Sequence, residues 1–171
     1  MAHSARRLLA ASIVAGVVWC AAPAAPDSVA AASPAIPAAA AETVSTVLEL
    51  TNAERARAGL QPLRENRRLT HAAQLQCEQM GSASRLDHVL PGARYPRPSD
   101  RLAASNYAWE AYAENVAVGQ RSGADVVSAW MSSPGHRANM LNPRYTELGV
   151  GYALDGAGRP YYALVFGRPA S

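Results

Sequence analysis

The residues best equipped for chemistry are His88, Glu114 and His136, which come from three separate stretches, "LDHVLPG", "YAENVAVG" and "SSPGHRANM". Each is out of keeping with its surroundings. His88 and His136 stand among turn residues and belong to no apolar periodic face. Glu114 lies in a run of small apolar residues, where an unpaired carboxylate is costly, so it needs an Arg, a His or a metal ion beside it. Two imidazoles and one carboxylate can build a metal site, or an acid–base pair with an orienting group. Spacing alone leaves a hydrogen-bonded polar core as an equal alternative, because nothing here matches the HExxH pattern that puts two rings on one helical face. Ser133, close to His136, invites a nucleophile reading. No strained G-x-S-x-G turn and no third group to hold the imidazole accompany it, so helix capping is the expected role of its hydroxyl.

The elements that must position these residues can be read from periodicity. "ETVSTVLELTNAERARAGL" places Val44, Val47, Leu48, Thr51 and Glu54 or Arg55 at i, i+3, i+4 spacing, with Gly59 as the stop signal, which predicts a helix. A second helix is expected from about Arg67 to Met80, with Leu69, Ala72, Ala73, Gln76 and Met80 on its inner side and Gly81 at its end. His71 on that helix reads as solvated or capping. Between the two, "QPLREN" is a turn that inserts Leu63 toward the core. From Ser82 to Arg101 the pattern dissolves into a proline-rich loop carrying His88, and "SDRLAAS" predicts a short helix. Ser122 with Asp125 three residues later is an N-cap signal for a helix burying Val126, Val127, Trp130 and Met131. Pro134-Gly135 ends that helix, and one further helical turn precedes Asn142-Pro143. In the tail, Leu148, Val150 and Tyr152 alternate, a Gly-rich turn follows, and Tyr162, Leu164 and Phe166 alternate again, the pattern of a β-hairpin. Helices first and strands last make the class α+β, with helices packed on an antiparallel sheet.

The N-terminal part reads differently. Residues 1–26 combine basic His3, Arg6 and Arg7, an apolar run from Leu8 to Cys20, and small residues suited to cleavage. The run is short of the ~20 residues of a membrane span, so a secretory signal peptide is expected. Residues 27–41, rich in Ala, Pro and Ser, read as a linker, and Glu42–Ser171 as the domain. Every one of the 16 basic residues is Arg, and once Arg6 and Arg7 are set aside the arginines and the 13 acids nearly balance. With no basic run interleaved with aromatics, nucleic-acid binding is set aside. If Cys20 leaves with the signal, Cys77 is unpaired, and its helical setting predicts a buried, small apolar role.

Five ordered motifs together carry a resemblance: "TNAERARAGLQPL", the loop His88, "ENVAVG", "WMSSPGHRANMLNPRYTELGVGYA" and "YYALVFG". From about Val44 to Gly167 the chain resembles the bacterial branch of the CAP superfamily, which groups cysteine-rich secretory, antigen 5 and pathogenesis-related 1 proteins, also called SCP-like extracellular proteins. The resemblance implies a three-layer α-β-α sandwich with a small antiparallel sheet. It also implies an open cleft with two His and two Glu, which in some members binds a divalent metal, often zinc. His88 is similar to the first histidine, Glu114 to the first glutamate and His136 to the second histidine. Ser133 occupies the place, three residues after Trp130, where the second glutamate is expected, so the tetrad is incomplete.

On that resemblance His88, Glu114 and His136 are the catalytic candidates, and His88 and His136 the metal ligands. Asn115, Ser133, Arg137 and Asn139 complete the ligand cleft, with Arg137 expected to pair with Glu114. Tyr107, Trp109 and Tyr112 are candidates for the cleft wall or the core. The function expected is that of a secreted or wall-associated binding module for lipid, sterol, cell-wall polymer or a divalent metal, working as a monomer without a stable membrane span. The alternative is a His/Glu-dependent or metal-assisted hydrolase of peptides or wall polymers. A fold match by itself confers neither.

Overall fold

The computed structural model describes residues 38–171. The signal peptide and most of the linker therefore lie outside the described residues. Helix α1 covers Ala38–Arg57, so residues 38–41, read above as the end of the linker, are helical. It buries Ala40, Val47, Thr51 and Arg55, a stripe at the three- and four-residue spacing that keeps one side of a helix facing inward. Gly59, at φ +72°, supplies the left-handed turn that stops it.

Strand β1 is only Arg64–Glu65, and Leu63 before it is buried. Helix α2, Arg67–Ala83, starts from Asn66, whose side chain accepts the Arg68 N–H. All five residues expected on its inner side are buried. Gly81 does not end the helix, which runs on to a left-handed C-cap at Ser84. After the loop carrying His88 comes the short helix α3, Pro98–Ala104, then strand β2, Trp109–Val118. Helix α4, Gly123–Ser132, is capped as expected, with the Ser122 hydroxyl accepting the Asp125 N–H at 3.1 Å. Helix α5, Pro134–Met140, follows at once with Pro at its first position, where a missing N–H costs nothing. Strands β3, Glu147–Leu154, and β4, Pro160–Pro169, form the expected hairpin.

The sheet order is β1-β3-β4-β2. The three long strands are antiparallel, and β1 adds a two-residue parallel edge beside β3. Two cores lie on opposite faces of this sheet. Tyr162, Leu164 and Phe166 of β4 join Val47, Val126, Val127, Trp130 and Met140 on the face covered by α1, α4 and α5. Tyr161, Ala163 and Val165 join Leu69, Ala72, Ala73, Met80 and Leu102 on the face covered by α2 and α3. Period-two alternation along β4 thus feeds both layers, and the architecture is an α-β-α sandwich.

The "LGVGYA" stretch has a second message. Leu148 and Val150 face one core, and the intervening glycines let α2 approach the sheet closely. A Cβ on Gly151 would stand 2.4 Å from the Ala73 carbonyl carbon, and one on Gly149 2.0 Å from the Thr70 nitrogen. Among the described residues Cys77 has no disulfide partner; it is fully buried on the inner side of α2, and burial holds its thiol well above the usual range. Among the described residues no helix is long and apolar enough to cross a membrane.

Candidate functional site

Three elements converge on β2. Its residue Glu114 points to the α2–α3 side with Val116, while Asn115, one residue on, points to the α1–α4–α5 side. The carboxylate of Glu114 meets the loop between α2 and α3, where His88 Nδ1 lies 2.9 Å from Oε1. With a carboxylate as acceptor, the Nδ1 position carries the proton. The side chain of His88 is 47% exposed and that of Glu114 only 3%, so the ring is the accessible half of the pair.

The partner that the buried carboxylate requires is Arg101 of α3. Its Nη2 stands 3.1 Å and 3.0 Å from the two carboxylate oxygens. The same guanidinium donates to the carbonyls of Tyr95, Pro96 and His88, so it ties the His88 loop to the helix and to the strand together. Arg101 is 1% exposed. Sequence reasoning anticipated an Arg beside Glu114 but named the wrong one. Arg137 is exposed and lines a groove of about 350 Å³ on the outer side of α4 and α5 with Met131, Pro134 and Leu141. Nothing pairs it with Glu114. The overlooked signal was an arginine among the apolar positions of "SDRLAAS", next to Leu102, which is buried beside it.

On the other face of β2, Asn115 Nδ2 donates to the His136 carbonyl at 3.1 Å, and Asn139 Nδ2 donates to Asn115 Oδ1 at 2.8 Å. Asn115 is wholly buried. These two amides clamp α5 to the strand and present His136, whose half-buried ring has no hydrogen-bond partner among the described residues. Pro134-Gly135 does not make the loop expected before His136; it opens α5, and His136 sits in that helix's first turn. Ser133 is the residue preceding this helix, but its hydroxyl makes no capping bond, contrary to expectation. Among the aromatics, Tyr107 is buried and donates to Glu147 at 2.9 Å, so it belongs to the core. Trp109 and Tyr112 stack edge to face with ring centroids 4.6 Å apart, and Trp109 is 41% exposed. His71 is exposed, with the Ser105 hydroxyl 3.0 Å from its Nδ1.

The two imidazoles are held differently. The hydrogen bond to Glu114, then its charge, raise the pKa of His88 above the ordinary 6.5, against the opposing effect of burial. Burial lowers that of His136, and the neighbouring His88 lowers it further. The two rings are thus biased in opposite directions, His88 toward the protonated form and His136 toward the neutral one. As a zinc site the donor set falls short. A catalytic zinc takes three protein ligands and a structural one four, whereas both oxygens of Glu114 are committed to Arg101. Among the described residues no group of three His, Cys, Asp or Glu is placed to hold a metal. The two ring nitrogens are what remain for one.

Known proteins share this fold. The model of the cysteine-rich secretory protein family, CAP, matches residues 48–166. YkwD, an uncharacterised protein of Bacillus subtilis (strain 168), is 40% identical over 111 residues, which is 65% of this chain and 42% of the relative. YlbC, an uncharacterised membrane protein of the same organism, is 32% identical over 120 residues, 70% of this chain and 33% of the relative. The chain therefore spans less than half the length of these relatives. Among solved structures, an extracellular protein containing an SCP domain from Bacillus anthracis aligns with a TM-score of 0.67 at 27% identity, over 74% of this chain and 40% of that one. An outer surface protein from Borrelia burgdorferi aligns with a TM-score of 0.69 at 20% identity, over 75% of this chain and 94% of that one, a likeness of fold alone. By the match across most of its described length, and by a fold that agrees with it, this chain belongs to the cysteine-rich secretory protein, or CAP, family.

Proposed function

We propose that this chain is an extracellular binding module whose cleft is formed by His88, Glu114 and His136, and that it is not an enzyme. The observation that carries this reading is the double engagement of Glu114. A general base needs a carboxylate free to take a proton, and this one is buried with both oxygens against Arg101. Ser133 stands where a second carboxylate would complete a tetrad, and its position shows no activating partner. What the cleft offers a ligand is two imidazole edges whose proton affinities are shifted in opposite directions, and an amide-clamped wall. The extracellular and outer-surface descriptions of the solved relatives favour a place outside the cell. A cell-wall polymer, a lipid or sterol, and a divalent cation such as zinc are the ligand classes to try, the cation through His88 and His136 alone.

The test compares the full chain with a His88→Ala/His136→Ala variant and with Glu114→Gln. Binding to wall-polymer preparations and lipid vesicles is followed by sedimentation, and binding of zinc by calorimetric titration. Turnover of peptide and wall-polymer substrates is measured in parallel. We expect binding to at least one of these partners, lost in the double variant, with no turnover by any form. Hydrolysis by the intact chain that disappears in Glu114→Gln would overturn the reading in favour of a hydrolase.

A further inference from the structure

Among the described residues strand β2 lies at the edge of the sheet, so one of its two hydrogen-bonding sides has no strand beside it. The register decides which residues face that open side. Gly119 N–H donates to the Pro160 carbonyl at 2.8 Å and continues the β2–β4 ladder. Ala117, Asn115 and Ala113 therefore turn their backbone groups toward β4, while Val118, Val116, Glu114 and Tyr112 turn theirs outward. An unpaired edge is a liability that proteins blunt, and two of these outward carbonyls are blunted by side chains. Trp130 Nε1 donates to the Val116 carbonyl at 3.2 Å, and the Tyr145 hydroxyl to that of Tyr112 at 3.4 Å.

Between those two caps the N–H and C=O of Glu114 have no partner among the described residues. The gap lies between the segments that carry the two histidines. His88 is bonded to the Glu114 side chain on one face of the strand, and Asn115 holds His136 on the other. A donor and an acceptor on one residue, both facing outward, match the C=O and N–H of one residue in an extended chain running alongside. That is how a peptide adds to a sheet edge.

Resting on the binding-module reading above, we propose that the cleft takes an extended segment of a protein chain. One of its residues pairs with the Glu114 N–H and C=O, between His88 and His136. The caps at Val116 and Tyr112 limit the added strand to a short bridge, so side chains must supply the rest of the contact. Leu86 and Val89, 46% and 42% exposed on either side of His88 in the chain, and Trp109 at 41%, are apolar surfaces for alternate side chains of such a segment.

Amide hydrogen exchange and chemical shifts of the ¹⁵N-labelled full chain test this. Three probes are used: a blocked soluble hexapeptide of alternating valine and threonine, the same peptide methylated on every backbone nitrogen, and chitotetraose as a glycan carrying acetamido groups. We expect the Glu114 amide to exchange freely in the unliganded protein and to slow at least ten-fold with the parent peptide, but with neither of the others. Both imidazoles should shift with it. Imidazole shifts without protection of the Glu114 amide would overturn the peptide-edge inference and leave the binding cleft standing. Equal protection by chitotetraose, or by the methylated peptide, would also overturn it. So would the absence of any response to the parent peptide at millimolar concentration, or a Glu114 amide already protected before ligand is added.

Discussion

Replacing Arg101 with Met tests the centre of the site most directly. The side chains of Arg101 and Glu114 are 1% and 3% exposed, so the substitution strands a carboxylate out of water with only the His88 Nδ1–H to hold it. It also removes the donor to three loop carbonyls. Breaking a buried ion pair from one side costs about 3–5 kcal/mol. At roughly 3–4 °C per kcal/mol for a domain of this size, Tm should fall by about 9–20 °C. Glu114→Gln strands the opposite charge and should also be costly. The double variant Arg101→Met/Glu114→Gln leaves no buried charge, so its loss should be smaller than the sum of the two by at least about 2 kcal/mol. Urea unfolding followed by the fluorescence of buried Trp130, with the slope checked for constancy, reads all four forms. If the single losses add to within about 0.5 kcal/mol, the two side chains are not coupled and Arg101 is not the counter-charge that holds Glu114 in the core.

Other predictions concern the surroundings. Gly151→Ala should cost about 3 kcal/mol, because its Cβ would meet backbone atoms of α2 that cannot yield; Gly135→Ala, with nothing within 4 Å, should be neutral or slightly stabilising. Both are read by the same urea unfolding. Arg137→Leu should leave stability within about 0.5 kcal/mol of the parent, as an exposed residue does, and should leave the His88 titration unmoved; a shift in that titration would restore Arg137 to the site. For pH, the folded pKa of His88 is raised above its unfolded 6.5, so the stability it contributes is fully present below pH 6.5 and is lost as pH rises through the folded value. His136, lowered from 6.5, contributes stability above pH 6.5 that is lost as pH falls through its folded value. An NMR titration should therefore find His88 above and His136 below 6.5, with Glu114→Gln bringing His88 down.

What could be read from the sequence was whatever depends on near neighbours. The stripe Val47, Thr51, Arg55, the inner side of α2, the Ser122 cap and the alternation of β4 are all set by spacings of two to four residues, and all are present as expected. His88, Glu114 and His136 stood out because each conflicts with its local pattern, and the fold does bring the three to one strand. The limits of α1 and α2 were misjudged where propensity competes with a nominal breaker: the alanines of residues 38–41 join a helix, and Gly81 is tolerated inside one.

The tertiary structure alone decided the partners. Arg101 and Arg137 are the same residue type, each on a short helix, at 13 and 23 positions from Glu114. Only the packing of α3 over β2 makes the first the counter-charge and leaves the second in solvent. The edge position of β2 likewise follows from strand order, which no local pattern carries. That order puts His88 and His136 on opposite faces of one strand with an unpaired peptide group between them. Charge pairing and edge exposure are properties of segments distant in the chain, and the energy that selects them appears only once both cores are packed.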